Sequence, residues 1–171
     1  MFKKNDSVVH TSYGTGIVTG TRIIERNGEN KEYFCIDLSD DRGTLMIPVD
    51  RLDDTELRAT MQDMAIIREV MEKQPEELSD HHRTRQNAIE DLISTGKPRM
   101  LAQVLRDLSW RRHNDIKLTQ TDKKLETRAQ KRLLNELALG MQLTVQTVQK
   151  RMNSLIEEAM MVHDGEVAVT A

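Results

Sequence analysis

Near residue 57 the apolar residues change their spacing, and that change decides what the chain can fold into. Over residues 7–57 the segments "SVVH", "TGIVTGTRIIE", "KEYFCIDL" and "GTLMIPV" are short and β-branched, the composition of a pleated, half-buried surface. Turn formers separate them: "SYGTG", "RNGEN" with its Asn27-Gly28 pair, and "SDDRG". Asn-Gly favours the positive φ values of a hairpin turn, so Ile23–Glu25 and Lys31–Phe34 are expected to pair antiparallel. Four or five short strands joined by tight turns make a small, strongly bent sheet or an SH3-like barrel.

After residue 57 the pattern turns helical. Met61, Met64, Ile67, Val70 and Met71 share one helical face. Pro75 and the acidic "PEELSD" end that helix. A second helix is expected over about residues 81–95, closed by Gly96. A third starts near Pro98, with Met100, Leu101, Val104, Leu105 and Leu108 inward. Thr119 and Asp122 have capping-box spacing ahead of a fourth helix that buries Leu125, Ala129, Leu133 and Leu137. A fifth is expected from about Thr144 to Met161, followed by a frayed tail. The expected class is therefore α+β: a small β-barrel followed by an all-α domain.

Charged residues make up 31% of the 171-residue chain and aromatics only 3%, which suits a helix-rich domain better than a β-sandwich. Every apolar run is interrupted by charge, so no membrane span is expected. The opening "MFKKNDS" has two lysines but no apolar run behind them, so no secretory signal is expected. Cys35 is the one cysteine, which excludes an internal disulfide and fits a reducing cytoplasm. The net charge of −3 is unevenly spread. Residues 53–80 carry 3 basic and 9 acidic groups, whereas residues 81–135 carry 13 and 6. A nucleic-acid partner needs a local cationic surface, and only the second of these blocks supplies one. A solvated helical face would have the same composition.

The glycines of "VVHTSYGTGIVTG" raise the question of a phosphate loop. A dinucleotide fingerprint needs Gly-x-Gly-x-x-Gly opening a helix. Here the glycines are 14, 16 and 20, so the third comes one place late, and the β-branched "IVTGTRII" that follows resists helix formation. No Gly-Lys-Ser/Thr completes a P-loop either. The stretch is expected to be a turn between strands. His10, His81, His82, His113 and His163 lie apart, and adjacent His81 and His82 are expected on different helix faces, so no zinc site is foreseen. Cys35 is expected to pack in the sheet rather than act as a nucleophile. No cofactor and no enzymatic activity are expected.

In order and spacing, "FKKNDSVVHTSYGTGIV", "KEYFCIDL", "LMIPVDRL", "LAQVLRDLSWRR" and "LTQTDKKLETRAQKRLLNELALG" resemble the bacterial CarD/CdnL family of transcription regulators over about residues 1–142. The resemblance implies a Tudor-like RNA polymerase-interacting domain over 1–57 and a helix with an acidic linker over 58–80. It implies a helical DNA-binding domain over 81–161, with 162–171 left as a flexible tail. Such a protein docks on the RNA polymerase β subunit and holds the upstream edge of the promoter bubble open. It would work as a cytoplasmic, nucleoid-associated monomer, with no membrane and no cofactor.

Carried over by position, the polymerase contact falls on Leu45, Met46 and Pro48 of "TLMIP" and on Ile24 of the hairpin. Strand alternation requires some of these to face the core instead. Family members carry a Trp wedge at the start of the first helix of the second domain. Here that position is His82, or His81 with a one-residue shift. A His ring stacks on a base but buries less area than indole. Arg83, Arg85, Arg99, Arg111, Arg112, Lys123 and Lys124 are the expected phosphate contacts. Trp110 is a competing wedge, whose commoner role near a helix end is packing. A protein–protein adaptor without DNA contact stays open beside this assignment.

Overall fold

A computed structural model describes residues 2–26, 28–39 and 41–170. The chain forms two compact units, Met1–Met61 and Gln62–Ala171. The fold is α+β, with a Tudor-like antiparallel sheet followed by helices.

Five strands build the first unit: β1 Ser7–His10, β2 Gly14–Arg26, β3 Glu29–Leu38, β4 Thr44–Pro48 and β5 Leu57–Ala59, with a 3-10 turn at Val49–Asp54. Their order is β4-β3-β2-β1-β5, and every pair is antiparallel. Ile23 faces Glu32 and Ile24 faces Lys31, as the hairpin pattern requires. Asn27 of the expected turn lies outside the described residues, and Gly28 has φ +80°. The sheet is open rather than a closed barrel: among the described residues β4 and β5 are edges that do not pair with each other.

Val8, Val18, Phe34, Ile36 and Ile47 form the core of this unit, flanked by Phe2, Leu38, Leu45, Val49, Leu52 and Leu57. The glycines serve this packing. Gly14 takes φ +82° where the three-residue loop 11–13 returns into β2. At Gly16 a Cβ would lie 2.6 Å from both the Asp37 carbonyl oxygen and Ile36 Cγ2, so no side chain fits between β2 and β3. Gly20, at φ +126°, follows a register shift after Val18 that inserts Thr19 as a bulge. The stretch is a turn with two strand adjustments and opens no helix. β5 extends the sheet past residue 57, because Leu57 packs against the core and Arg58 pairs with Val9 of β1.

Helices α1 Ala65–Met71, α2 His82–Ser94, α3 Pro98–His113, α4 Gln120–Met141 and α5 Val145–Thr170 make up the second unit. α3 packs against each of the other four. Leu101, Val104, Leu105 and Leu108 of α3 are buried, as are Ile67, Val70 and Met71 of α1 and Ile89 and Ile93 of α2. Leu125, Leu133 and Leu137 of α4 and Val148 and Met152 of α5 are also buried. Local signals set the ends. Gly96, at φ +63°, closes α2 and donates its amide to the Ile93 carbonyl. Pro98 is the first residue of α3. Thr119 and Asp122 form both halves of the capping box on α4.

α5 continues to Thr170, through the stretch where a tail is expected. Buried Met160 and His163 anchor it, with His163 Nε2 donating to the Met71 carbonyl at 2.8 Å. Residues 72–81 have no regular structure, yet they are pinned to the helices. The Glu76 amide donates to Asp107 Oδ1 at 3.0 Å, and Arg111 donates to the Leu78 carbonyl at 3.2 Å. No described helix is long and apolar enough to cross a membrane.

Candidate functional site

In the first unit the residues singled out for protein contact separate by strand alternation. Leu45 is opposite Ile36 and packs against the core. Met46 is opposite Cys35 and Pro48 opposite Tyr33, on the other face of the sheet. Arg22 is also opposite Tyr33, so Ile24, two residues on, shares the face of Met46 and Pro48. β4 is an edge, so the outer backbone groups of Thr44–Pro48 have no strand partner in the described sheet. Such an edge accepts a further strand, and its side chains give that pairing specificity. Ile24, Met46 and Pro48 are each half-buried. Leu45 is mainly a core residue.

In the second unit the expected phosphate contacts do not gather on one surface. Arg85 is 2% exposed and Asp122 is fully buried. Arg85 Nε donates to Asp122 Oδ1 at 3.2 Å and Nη2 to Oδ2 at 2.8 Å, while Nη1 donates to the carbonyls of Ser79 and Asp80. Arg111, 9% exposed, donates to the Leu78 carbonyl and to the Asp80 carboxylate. Both arginines are therefore corrected from surface contacts to internal braces. Arg99 forms a bidentate pair with Glu69 on α1 and follows the C-terminal end of α2, about 20 Å from that helix's start. Arg112 is exposed but paired with Glu126.

Of the expected contacts, Arg83, Lys123 and Lys124 are exposed and have no ion pair among the described residues. Arg83 is in the first turn of α2, and the two lysines are the fourth and fifth residues of α4. The two helix starts are neighbours, since Gln86 Nε2 donates to Thr119 Oγ1 at 2.9 Å and Arg85 reaches Asp122. Two helix N-termini with cations around them attract anions through both the free N–H groups and the charge. Lys117, exposed two residues before Thr119, belongs to the same group and was missed from sequence. Its place just ahead of the capping box was the available signal.

His81 and His82 also differ from expectation. His81 is the N-cap of α2, with extended backbone (φ −69°, ψ 111°), and its Nδ1 accepts the Thr84 amide. The helical offset between successive residues therefore does not apply, and the two rings stack with centroids 5.3 Å apart and planes 21° from parallel. Both are exposed. His82 rests on a fixed His81 ring at the head of the helix. Trp110 is half-buried, stacked on His113 at 5.5 Å and edge-on to His163 at 6.2 Å, which is a packing role.

Three carboxylates within the helical unit have shifted acidities: Glu69, lowered chiefly by its hydrogen bond from Arg99, and the buried Asp122 and Asp107. Burial acts most strongly on Asp122 and would raise it, but the hydrogen bonds from Arg85 and Thr119 and the Arg85 charge outweigh burial and hold it below its ordinary range. At Asp107 burial wins over Arg106 and the Glu76 amide, so that carboxyl is raised. Among the described residues no cluster of His, Cys, Asp and Glu could hold a metal ion.

Residues 2–61 match the CarD-like/TRCF RID domain family, and residues 66–153 match the CarD C-terminal domain family. The chain is also 28% identical over 140 residues to the "Putative transcription factor YdeB" of Bacillus subtilis (strain 168), an alignment covering 80% of this chain and 90% of that protein.

Proposed function

Because this chain belongs to the CarD family, both of whose domain patterns it carries in order, we propose that it is a non-enzymatic regulator of transcription that docks on the RNA polymerase β subunit and contacts promoter DNA at the upstream edge of the bubble. The β4 edge takes the polymerase, with Met46, Pro48 and Ile24 beside it. The paired starts of α2 and α4 take the DNA. Arg83, Lys117, Lys123 and Lys124 meet phosphates, and the His82 ring, backed by His81, stacks against the last base pair of the fork. The protein acts as a cytoplasmic, nucleoid-associated monomer that needs no cofactor.

The observation that carries this reading is the His81–His82 stack at two adjoining helix N-termini, set among cations that have no ion pair among the described residues. A flat ring held at a cationic helix start can fill the gap at an opened base step while its neighbours neutralise the backbone. One observation favours a second reading, a protein–protein adaptor without DNA contact: Arg85 and Arg111 are withdrawn into the fold, which thins the cationic surface. Footprinting a polymerase–promoter complex with and without the full chain separates the two. Protection that extends over the upstream fork supports the DNA contact. An unchanged footprint with the protein demonstrably bound to polymerase refutes it in favour of the adaptor.

A further inference from the structure

We infer that Arg85 and Asp122 are positioning residues of the DNA interface, which set the starts of α2 and α4 side by side without touching DNA themselves. This rests on the DNA-contact reading above. One carboxylate serves two helices. Asp122 Oδ2 accepts the Thr119 amide at 2.8 Å, completing the cap of α4, and also accepts Arg85 Nη2 at 2.8 Å. On its other side Arg85 holds the Ser79 and Asp80 carbonyls at 2.7 and 3.1 Å, the two residues that lead into the N-cap His81. Gln86 closes the arrangement from the surface, donating to Thr119 Oγ1 and to Asp122 Oδ1. His81, His82 and Arg83 are thereby fixed relative to Lys123 and Lys124 through one buried guanidinium. A lysine cannot reproduce this, because its single ammonium lacks the planar fork that reaches a carboxylate and two carbonyls together.

The role makes a prediction whose sign bare electrostatics reverses. Asp122→Asn removes a negative charge from beneath a phosphate-binding surface, so by charge alone it should tighten DNA binding. As a positioning defect it weakens binding. Arg85→Lys keeps the charge, so a direct phosphate contact would be largely retained, whereas the brace is lost.

The test measures binding of the full chain to a fluorescent forked duplex between about 50 and 200 mM salt, with folding of each variant followed by far-UV circular dichroism and thermal melting. Asp122→Asn and Arg85→Lys should each weaken binding by roughly tenfold, the scale of one or two lost charge-assisted contacts, and flatten the salt dependence, because the cations no longer engage together. Gln86→Ala, which spares the buried pair, supplies a milder loss of about two- to threefold should either of the others fail to fold. A pair that only stabilises the helices would lower the melting temperature and leave the affinity and salt slope of folded protein unchanged, and that result overturns the inference. Wild-type binding that weakens with Arg83→Ala but tolerates Arg85→Lys and Asp122→Asn overturns the positioning role alone. Absence of salt-dependent binding by the wild-type chain overturns the DNA-contact reading, and the inference with it.

Discussion

The salt dependence of DNA binding can be counted from the structure before it is measured. Each phosphate neutralised by a cation contributes about −0.9 to the slope of log K against log salt on duplex DNA. The seven Lys and Arg residues singled out from sequence would together give a slope of about −6.3, a loss of roughly 6,000-fold between 50 and 200 mM salt. Burial removes Arg85 and Arg111 from that set, and Arg99 is paired with Glu69 at the far end of α2. Arg112 is paired with Glu126, so Arg83, Lys123 and Lys124 remain and Lys117 joins them, giving a slope of about −3.6 and a loss of roughly 150-fold over the same range. If Arg112 exchanges Glu126 for a phosphate, the slope reaches about −4.5. Fluorescence anisotropy with a forked promoter fragment measures it directly, and Arg83→Ala should make it shallower by about 0.9. A slope of −6 or steeper would mean that the buried arginines swing out to reach DNA, and the placement of the interface would be refuted. A slope that does not respond to Arg83→Ala would remove the start of α2 from the contact.

Three further outcomes are expected. Gly16→Ala should destabilise the sheet unit by about 1–3 kcal/mol in chemical denaturation, since a methyl group there meets backbone and a core side chain; unchanged stability would refute the close approach of β2 and β3. Met46→Glu should weaken binding to the polymerase β lobe with little change in melting temperature, while Leu45→Ala should cost about 1–2 kcal/mol of stability, and the reverse assignment would mean that β4 presents its other face. Asp122, with its folded pKa below the ordinary value of 3.8, contributes stability that is complete above that value and lost as pH falls through the folded one; Asp122→Asn should therefore flatten the acid limb of the helical unit's stability curve, and an unchanged acid limb would show that the Arg85 pair contributes nothing there.

What was legible in the sequence was local. The Thr119–Asp122 cap, the Gly96 stop, Pro98 at the head of α3 and the hairpin pairing of Ile24 with Lys31 each depend on residues within a few positions, and each is present. The first β-turn was likewise readable from its glycines, although the spatial reason for Gly16 needed the neighbouring strand. The charged residues were not readable. Arg85 finds Asp122 across 37 positions, and Arg111 finds the Leu78 carbonyl across 33, so nothing in the neighbourhood of either arginine marks it as internal. His81 and His82 were misplaced for a related reason. Helical periodicity starts at His82, one residue after the N-cap His81, whose backbone is extended. The extent of β5 was hidden because its three residues continue into the apolar spacing of the next helix.

The pinned acidic segment has a practical consequence for dividing the molecule. Composition suggests cutting at residue 81, just ahead of α2, and discarding 72–80 as a spacer. A fragment that begins there keeps the guanidinium groups of Arg85 and Arg111 and deletes the carbonyls of Leu78, Ser79 and Asp80 that receive them. It also deletes α1, which covers one side of α3, and the amide of Glu76 that meets Asp107. Buried cations stripped of their acceptors are costly, so such a fragment would misfold for reasons unrelated to DNA. The helical half should be cut at Gln62, where the contacts divide.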